Sequence, residues 1–112
     1  PIKTEQETIN TYGRYIYRSV GPIELTATIN KPIDQFFSPI RYELSNVSTL
    51  SGVSLIINEL VSYDSFYLDL LKAGDRIYVK GLLQEVFDTL NRTKTFRVAI
   101  GVREIKTSLK IG

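Results

Sequence analysis

Hydrophobic and polar residues alternate singly along much of the chain. Ile23, Leu25, Ala27 and Ile29 are separated by Glu24, Thr26 and Thr28, the period-two pattern of a strand with one buried face. Asn30-Lys31-Pro32 is expected to end it, because proline donates no ladder hydrogen bond and restricts the residue before it. After a loop over 33–39, Ile40, Tyr42 and Leu44 alternate with Arg41, Glu43 and Ser45 and predict a second strand, with a turn over 46–52. Val53, Leu55 and Ile57 begin a third strand that reaches about Val61.

The period then lengthens. Tyr63, Phe66, Tyr67, Leu70 and Leu71 recur at three and four residues, so 62–73 is expected to be one short amphipathic helix, capped by Ser62 and closed at Ala73-Gly74. Alternation returns with Ile77, Val79 and Leu83 on one side and Arg76, Tyr78 and Lys80 on the other, in a strand continuing to Phe87. Gly81 inside it predicts a bulge or sharp coil where one strand serves two sheets. A polar hairpin loop over 88–93 leads to a last strand carrying Phe96, Val98, Ile100 and Val102.

Three strands, a helix and two strands is the order of an OB-fold, a five-stranded Greek-key barrel, so the expected fold class is all-β. A small sandwich or an SH3-like barrel with an added helix fits the same pattern. With no repeat, low-complexity tract or linker in view, residues 21–112 are expected to form one domain, preceded by an N-terminal extension over 1–20 with room for an extra strand.

Composition narrows the chemistry. The 112 residues include no cysteine and no histidine, which removes disulfides, thiolate nucleophiles, cysteine zinc sites and the usual general base. Asp64, Asp69, Asp75, Glu85 and Asp88 form no recognisable metal or acid–base spacing, and no phosphate-binding glycine motif is present. The expectation is a protein that is not an enzyme and carries no cofactor or metal. Apolar runs such as Val53 to Val61 are too short to span a bilayer and no signal peptide is visible, so no membrane partner is expected and the location is read as cytoplasmic, nucleoid-associated if bacterial or phage. Charge is uneven: residues 1–71 hold five Lys/Arg against eight Asp/Glu, and residues 72–112 hold nine against four. A basic C-terminal part points to a polyanionic partner.

The run Tyr67-Leu68-Asp69-Leu70-Leu71-Lys72-Ala73-Gly74-Asp75-Arg76-Ile77-Tyr78-Val79-Lys80-Gly81-Leu82-Leu83-Gln84 resembles the most characteristic stretch of the bacterial single-stranded-DNA-binding protein family, a helix ending in Leu-x-Lys-Gly followed by x-x-Val-Tyr-Val-x-Gly-x-Leu-Gln. Ile23 to Pro32 resembles that family's first strand and its Asp-Pro turn, and Arg41 to Asn46 its second strand; the likeness spans about Ile23 to Ile105. It implies an OB-fold that binds single-stranded DNA, in replication, repair or mobile-element metabolism, and that self-associates as a homo-oligomer. Two departures qualify it. The family stacks bases on tryptophans, of which this chain has none, and Phe87 is the nearest counterpart of an aromatic the family carries, displaced by one place. The family's acidic tail has no counterpart in Lys106 to Gly112.

Single strands are held by aromatics that stack on bases and cations that follow phosphates. Arg76, Tyr78 and Lys80 share one parity and satisfy that requirement; a subunit interface with two solvated cations is the alternative. Arg92 and Lys94 on the hairpin, with Arg97 nearby, are placed where OB-folds clasp ligand. Arg41 is preferred over Tyr42, which shares the parity of Ile40 and Leu44. Tyr15 and Tyr17 interleave with Arg14 and Arg18, a pattern that also suits an edge strand. Phe36 and Phe37 stack on bases or plug a barrel end. The expected function is sequence-tolerant single-stranded DNA binding whose affinity falls steeply with salt, with RNA also open. The alternative is an OB-fold assembly module with little or no nucleic-acid binding.

Overall fold

A computed structural model of the chain describes residues 7–9, 14–34, 40–50, 55–63 and 71–112. They form β1 (Glu7–Ile9), β2 (Tyr15–Asp34), β3 (Ile40–Thr49), β4 (Ile57–Ser62), β5 (Arg76–Asp88), β6 (Thr93–Ile100) and β7 (Ser108–Ile111). Runs rich in Ile, Val, Thr and Tyr suit a pleated surface buried on one side, and these segments follow that rule.

Five of the strands close a ring. β2 pairs with β3, β3 with β4, β4 with β6, β6 with β5, and β5 returns to β2; β4–β6 is parallel and the rest are antiparallel. β1 lies against the first part of β2, and β7 against the first part of β5. The interior is filled largely by the alternating residues that the pattern marked: Leu25, Ala27, Ile29, Tyr42, Val79 and Val98 are all fully buried, as is Leu60, which the pattern did not mark. Buried apolar area of this kind is the main favourable contribution to folding.

Several boundaries differ from the sequence expectation, each for a local reason. β2 does not stop at Asn30. It runs on to Asp34, and Pro32 pairs with Tyr42 between two register irregularities, where a missing N–H costs the ladder little. β2 also begins at Tyr15, crossing residue 20 with a single register shift between Ser19 and Gly21. The turn expected from Asn46 is a bulge instead: Asn46 takes a left-handed φ of 51°, and Ser48 and Thr49 resume pairing with Thr26 and Leu25.

β4 starts at Ile57 rather than Val53, which lies outside the described residues, and its parity shifts between Ile57 and Glu59. The helix expected over 62–73 is not seen among the described residues. Ser62 ends β4, and Lys72 to Asp75 form a turn in which the Lys72 N–H donates to Asp75 Oδ2 (2.9 Å) and the Asp75 N–H to the Lys72 carbonyl (3.0 Å); residues 64–70, which carry most of the expected helix, lie outside the described residues. β6 ends at Ile100, because Gly101 turns the chain with φ 74°, so Val102 is not in the strand. The chain then returns as β7, an element the periodicity did not mark.

Gly81 marks a close approach rather than a bulge in its own strand. A Cβ there would meet the Ala99 carbonyl oxygen and Val98 Cγ2, each at 2.7 Å. At this residue β5 exchanges β7 (pairing through Lys80) for β6 (pairing from Leu82), so the strand does serve two neighbours. The register irregularity of the β2–β5 pairing lies elsewhere, at Val20 between the Ser19–Gln84 and Gly21–Leu83 pairs, whereas Gly81 pairs with Ile23. Among the described residues no helix is long and apolar enough to cross a membrane.

Candidate functional site

Strand register builds one row of side chains across the outside of the ring. Glu43 of β3 lies opposite Glu59 of β4, Glu59 opposite Arg97 of β6, Arg97 opposite Gln84 of β5, and Gln84 opposite Ser19 of β2. Directly paired residues share a face, so the row is continuous on the side away from the core. The next row toward the hairpin is Thr95, Val86 and Tyr17, with Tyr15 beyond it opposite Asp88. Of these, Glu43, Glu59, Arg97, Thr95, Val86, Tyr17 and Tyr15, together with Ile33, Arg41, Asn58 and Phe96, line an open cleft of about 270 Å³.

Arg97 is its centre. The residue is only 8% exposed, its Nε donates to Gln84 Oε1 at 2.7 Å, and its guanidinium lies 4.2 Å from the Tyr17 ring centroid. A cation so far removed from water needs such partners, and both the charge-assisted hydrogen bond and the ring face provide them. Tyr15 and Tyr17 lie 6.3 Å apart at an interplanar angle of 35°, and the Arg14 guanidinium sits 5.0 Å from the Tyr15 ring. Burial raises the Tyr17 phenol above its ordinary range.

On the other wall Arg41 Nη1 approaches Glu59 Oε2 at 3.7 Å, and Asn30 Nδ2 donates to Glu43. Burial pushes the Glu59 carboxyl up, against the opposing pull of Arg41 and Arg97. With two guanidinium groups and two carboxylates in the lining, the cleft is polar but close to charge-balanced.

Of the residues singled out in the sequence, Tyr15, Tyr17, Arg41 and Arg97 meet in this cleft. The others do not join them. Phe87 pairs with Ile16 and Lys94 on the opposite face of the hairpin. There Lys94 Nζ and Arg18 Nη2 each reach Glu85 Oε2 at 3.5 Å. Arg92 is exposed at the hairpin tip, with φ 54°.

Arg76, Tyr78 and Lys80 share the outer parity of β5 but lie at its other end, about 20 Å along the strand at ordinary rise. Arg76 is spent on structure: it donates to Thr26 Oγ1 (2.9 Å), Thr28 Oγ1 (3.1 Å) and the Asn46 carbonyl (2.8 Å), fastening the β3 bulge. The Tyr78 hydroxyl donates to Glu24, which holds the phenol above its usual range. Lys80 is exposed beside Pro22, Ile23, Glu24 and Leu50 around a second cleft. Phe36 and Phe37 lie outside the described residues.

Glu59 and Glu43 were not marked as site residues by the sequence; Gln84 stood there only in the run that carries the resemblance, and Arg14 only as a cation interleaved with Tyr15 and Tyr17. Arg14 grips Asp88 with two hydrogen bonds, both 3.2 Å, at the base of the hairpin. Among the described residues no group of three or more acidic side chains is arranged to hold a metal ion. Compared with family models, with curated proteins and with solved structures, the chain finds no match in any of the three.

Proposed function

We propose that the protein is an OB-fold module that binds single-stranded DNA without strong dependence on overall sequence, using the outer cleft of β3, β4, β6 and the β2–β5 arm. The fold reading is supported by the five-membered ring and by its one out-of-order step, β4 to β6 before β5, which suits a small Greek-key barrel. The binding reading rests on one observation above others: Tyr15, Tyr17, Arg41 and Arg97, all named as candidates from the sequence, line a single open cleft. Such a cleft offers ring and guanidinium faces to bases, the stacking contacts that single-strand binders use.

Fluorescence polarisation with a labelled oligo-dT tests it. Binding at low salt that weakens about tenfold or more in Tyr17→Ala is expected, from the usual worth of one stacked base. No binding at low salt overturns the proposal.

A second reading, an assembly module, has its own support. Arg14, Arg18, Arg41 and Lys94 are all engaged by carboxylates within the chain, leaving fewer cations for phosphates. The short strands β1 and β7 each have one partner among the described strands and so present a pairing edge. Sedimentation of the protein alone, set beside the polarisation result, separates the two: self-association without oligonucleotide binding favours assembly.

A further inference from the structure

The cleft that supports the DNA-binding reading is a poor phosphate site. Glu59 and Glu43 face each other across β3 and β4, and a phosphate seated between them would be repelled by both. What the lining does complement is a neutral group with its own pattern of donors and acceptors. The Arg41–Glu59 ion pair sets a guanidinium beside a carboxylate, with Nη1 3.7 Å from Oε2. A base edge laid across such a pair meets guanidinium donors and then the two acceptor oxygens of the carboxylate.

Only one nucleobase carries the complementary order. The Watson–Crick edge of guanine presents O6 as acceptor and then N1–H and N2–H as two adjacent donors. Adenine and cytosine each begin with a donor and follow it with an acceptor, and thymine has one N–H between two carbonyls. We infer that this cleft reads guanine: Glu59 accepts from N1–H and N2–H, Arg41 donates to O6, and the base rests against the surface made by Tyr15, Tyr17 and the Arg97 guanidinium.

The parts differ in freedom in the way this role requires. Arg97 is fixed by Gln84 and Tyr17 and is 8% exposed, which suits a stacking surface. The Arg41 and Glu59 side chains retain 40% and 21% exposure, so their polar ends stay within reach of a base edge. Leaving the pair's hydrogen-bonding groups opposite the wrong edge removes a base contact of a kind that discriminates by about tenfold.

This inference rests on the proposed single-strand binding, and the test keeps the two apart. Polarisation is measured with oligo-dT carrying dispersed guanines, with the same strand carrying inosine in their place, and with adenine, cytosine and unsubstituted dT strands. Inosine keeps O6 and N1–H and lacks only the N2 amino group. The guanine strand is expected to bind about tenfold more tightly than dT, and inosine to lose much of that gain.

Glu59→Gln replaces one acceptor by a donor and is expected to collapse the guanine-to-inosine ratio, whereas Glu104→Gln, an exposed residue outside the cleft, keeps it. Because the base substitutions use the unaltered protein, a poorly folded variant does not obscure the result. Equal affinity for every strand, with dT still bound, overturns the guanine assignment and leaves single-strand binding standing. A ratio that survives in a folded Glu59→Gln protein overturns the assignment to this pair. Absence of binding to any strand overturns both.

Discussion

Arg97 and Asp88 show how single side chains in this molecule depend on their partners. The Arg97 guanidinium is planar, donates from Nε to Gln84 and lies over Tyr17; an ammonium keeps the charge but reproduces neither geometry. Arg97→Lys is therefore expected to lower stability by about 1–2 kcal/mol, a drop of several degrees in the melting temperature followed by circular dichroism. The carboxyl of Asp88 is held down to about 2, first by the Arg14 guanidinium and further by the N–H groups of Leu90 and Asn91. Its folded value is below the unfolded one, so the stabilisation is complete above about pH 4 and disappears as the pH falls toward 2. A carbon-13 titration of the Asp88 carboxyl is expected to show that midpoint, and Arg14→Ala to move it up toward the ordinary range. An unchanged midpoint in that variant would assign the shift to the turn amides instead.

At the scale of elements, β5 is the strand on which the ring turns. It pairs with β2 along most of its length and exchanges β7 for β6 at Gly81. The atoms 2.7 Å from a Cβ at that position include a backbone carbonyl, which cannot rotate away as a side chain can. Gly81→Ala is expected to cost about 1–3 kcal/mol, with loss of amide protection concentrated in 82–88 and 96–100; a melting curve like that of the unaltered protein would show that β6 moves aside easily.

The same strands show what a reader of the sequence can reach. Ile23 to Ile29, Ile40 to Leu44 and Ile77 to Leu83 are legible because burial on one face imposes period two, and all three are strands with the expected side inward. β7 was not legible: it is four residues long with only Leu109 buried, too short a stretch to establish a period. Asn46 was legible only as a break in the strand; that it is a bulge, fastened by Arg76 from β5 and followed by renewed pairing, is a tertiary feature. The cleft was legible in its ingredients and not in its assembly. Tyr15, Tyr17, Arg41 and Arg97 stand out by type, whereas Glu59 and Gln84 matter only because the β4–β6 and β5–β6 registers place them beside Arg97.

Across the whole molecule the distribution of charge in sequence and its distribution in space lead to different salt dependences. The basic excess in residues 72–112 suggests a steep response. In the folded chain Lys94 and Arg18 share Glu85, Arg14 holds Asp88, and Arg41 lies against Glu59. A cation already neutralised by a carboxylate releases few counterions when a phosphate approaches, so it contributes little to the slope. If about two or three phosphates are neutralised, a plot of log affinity against log salt has a slope near −2, from about −0.7 per contact on a single strand. Stacking then supplies most of the remaining affinity and is comparatively insensitive to salt. Polarisation titrations over a range of sodium chloride concentrations measure that slope directly. Glu85→Gln frees both Arg18 and Lys94, which lie on the hairpin face turned away from the cleft, and is expected to leave the slope nearly unchanged for a strand held in the cleft. A slope of the unaltered protein beyond about −5 would mean that phosphate contacts outnumber the cations this face leaves unpaired, and that the strand runs along the basic hairpin rather than through the cleft.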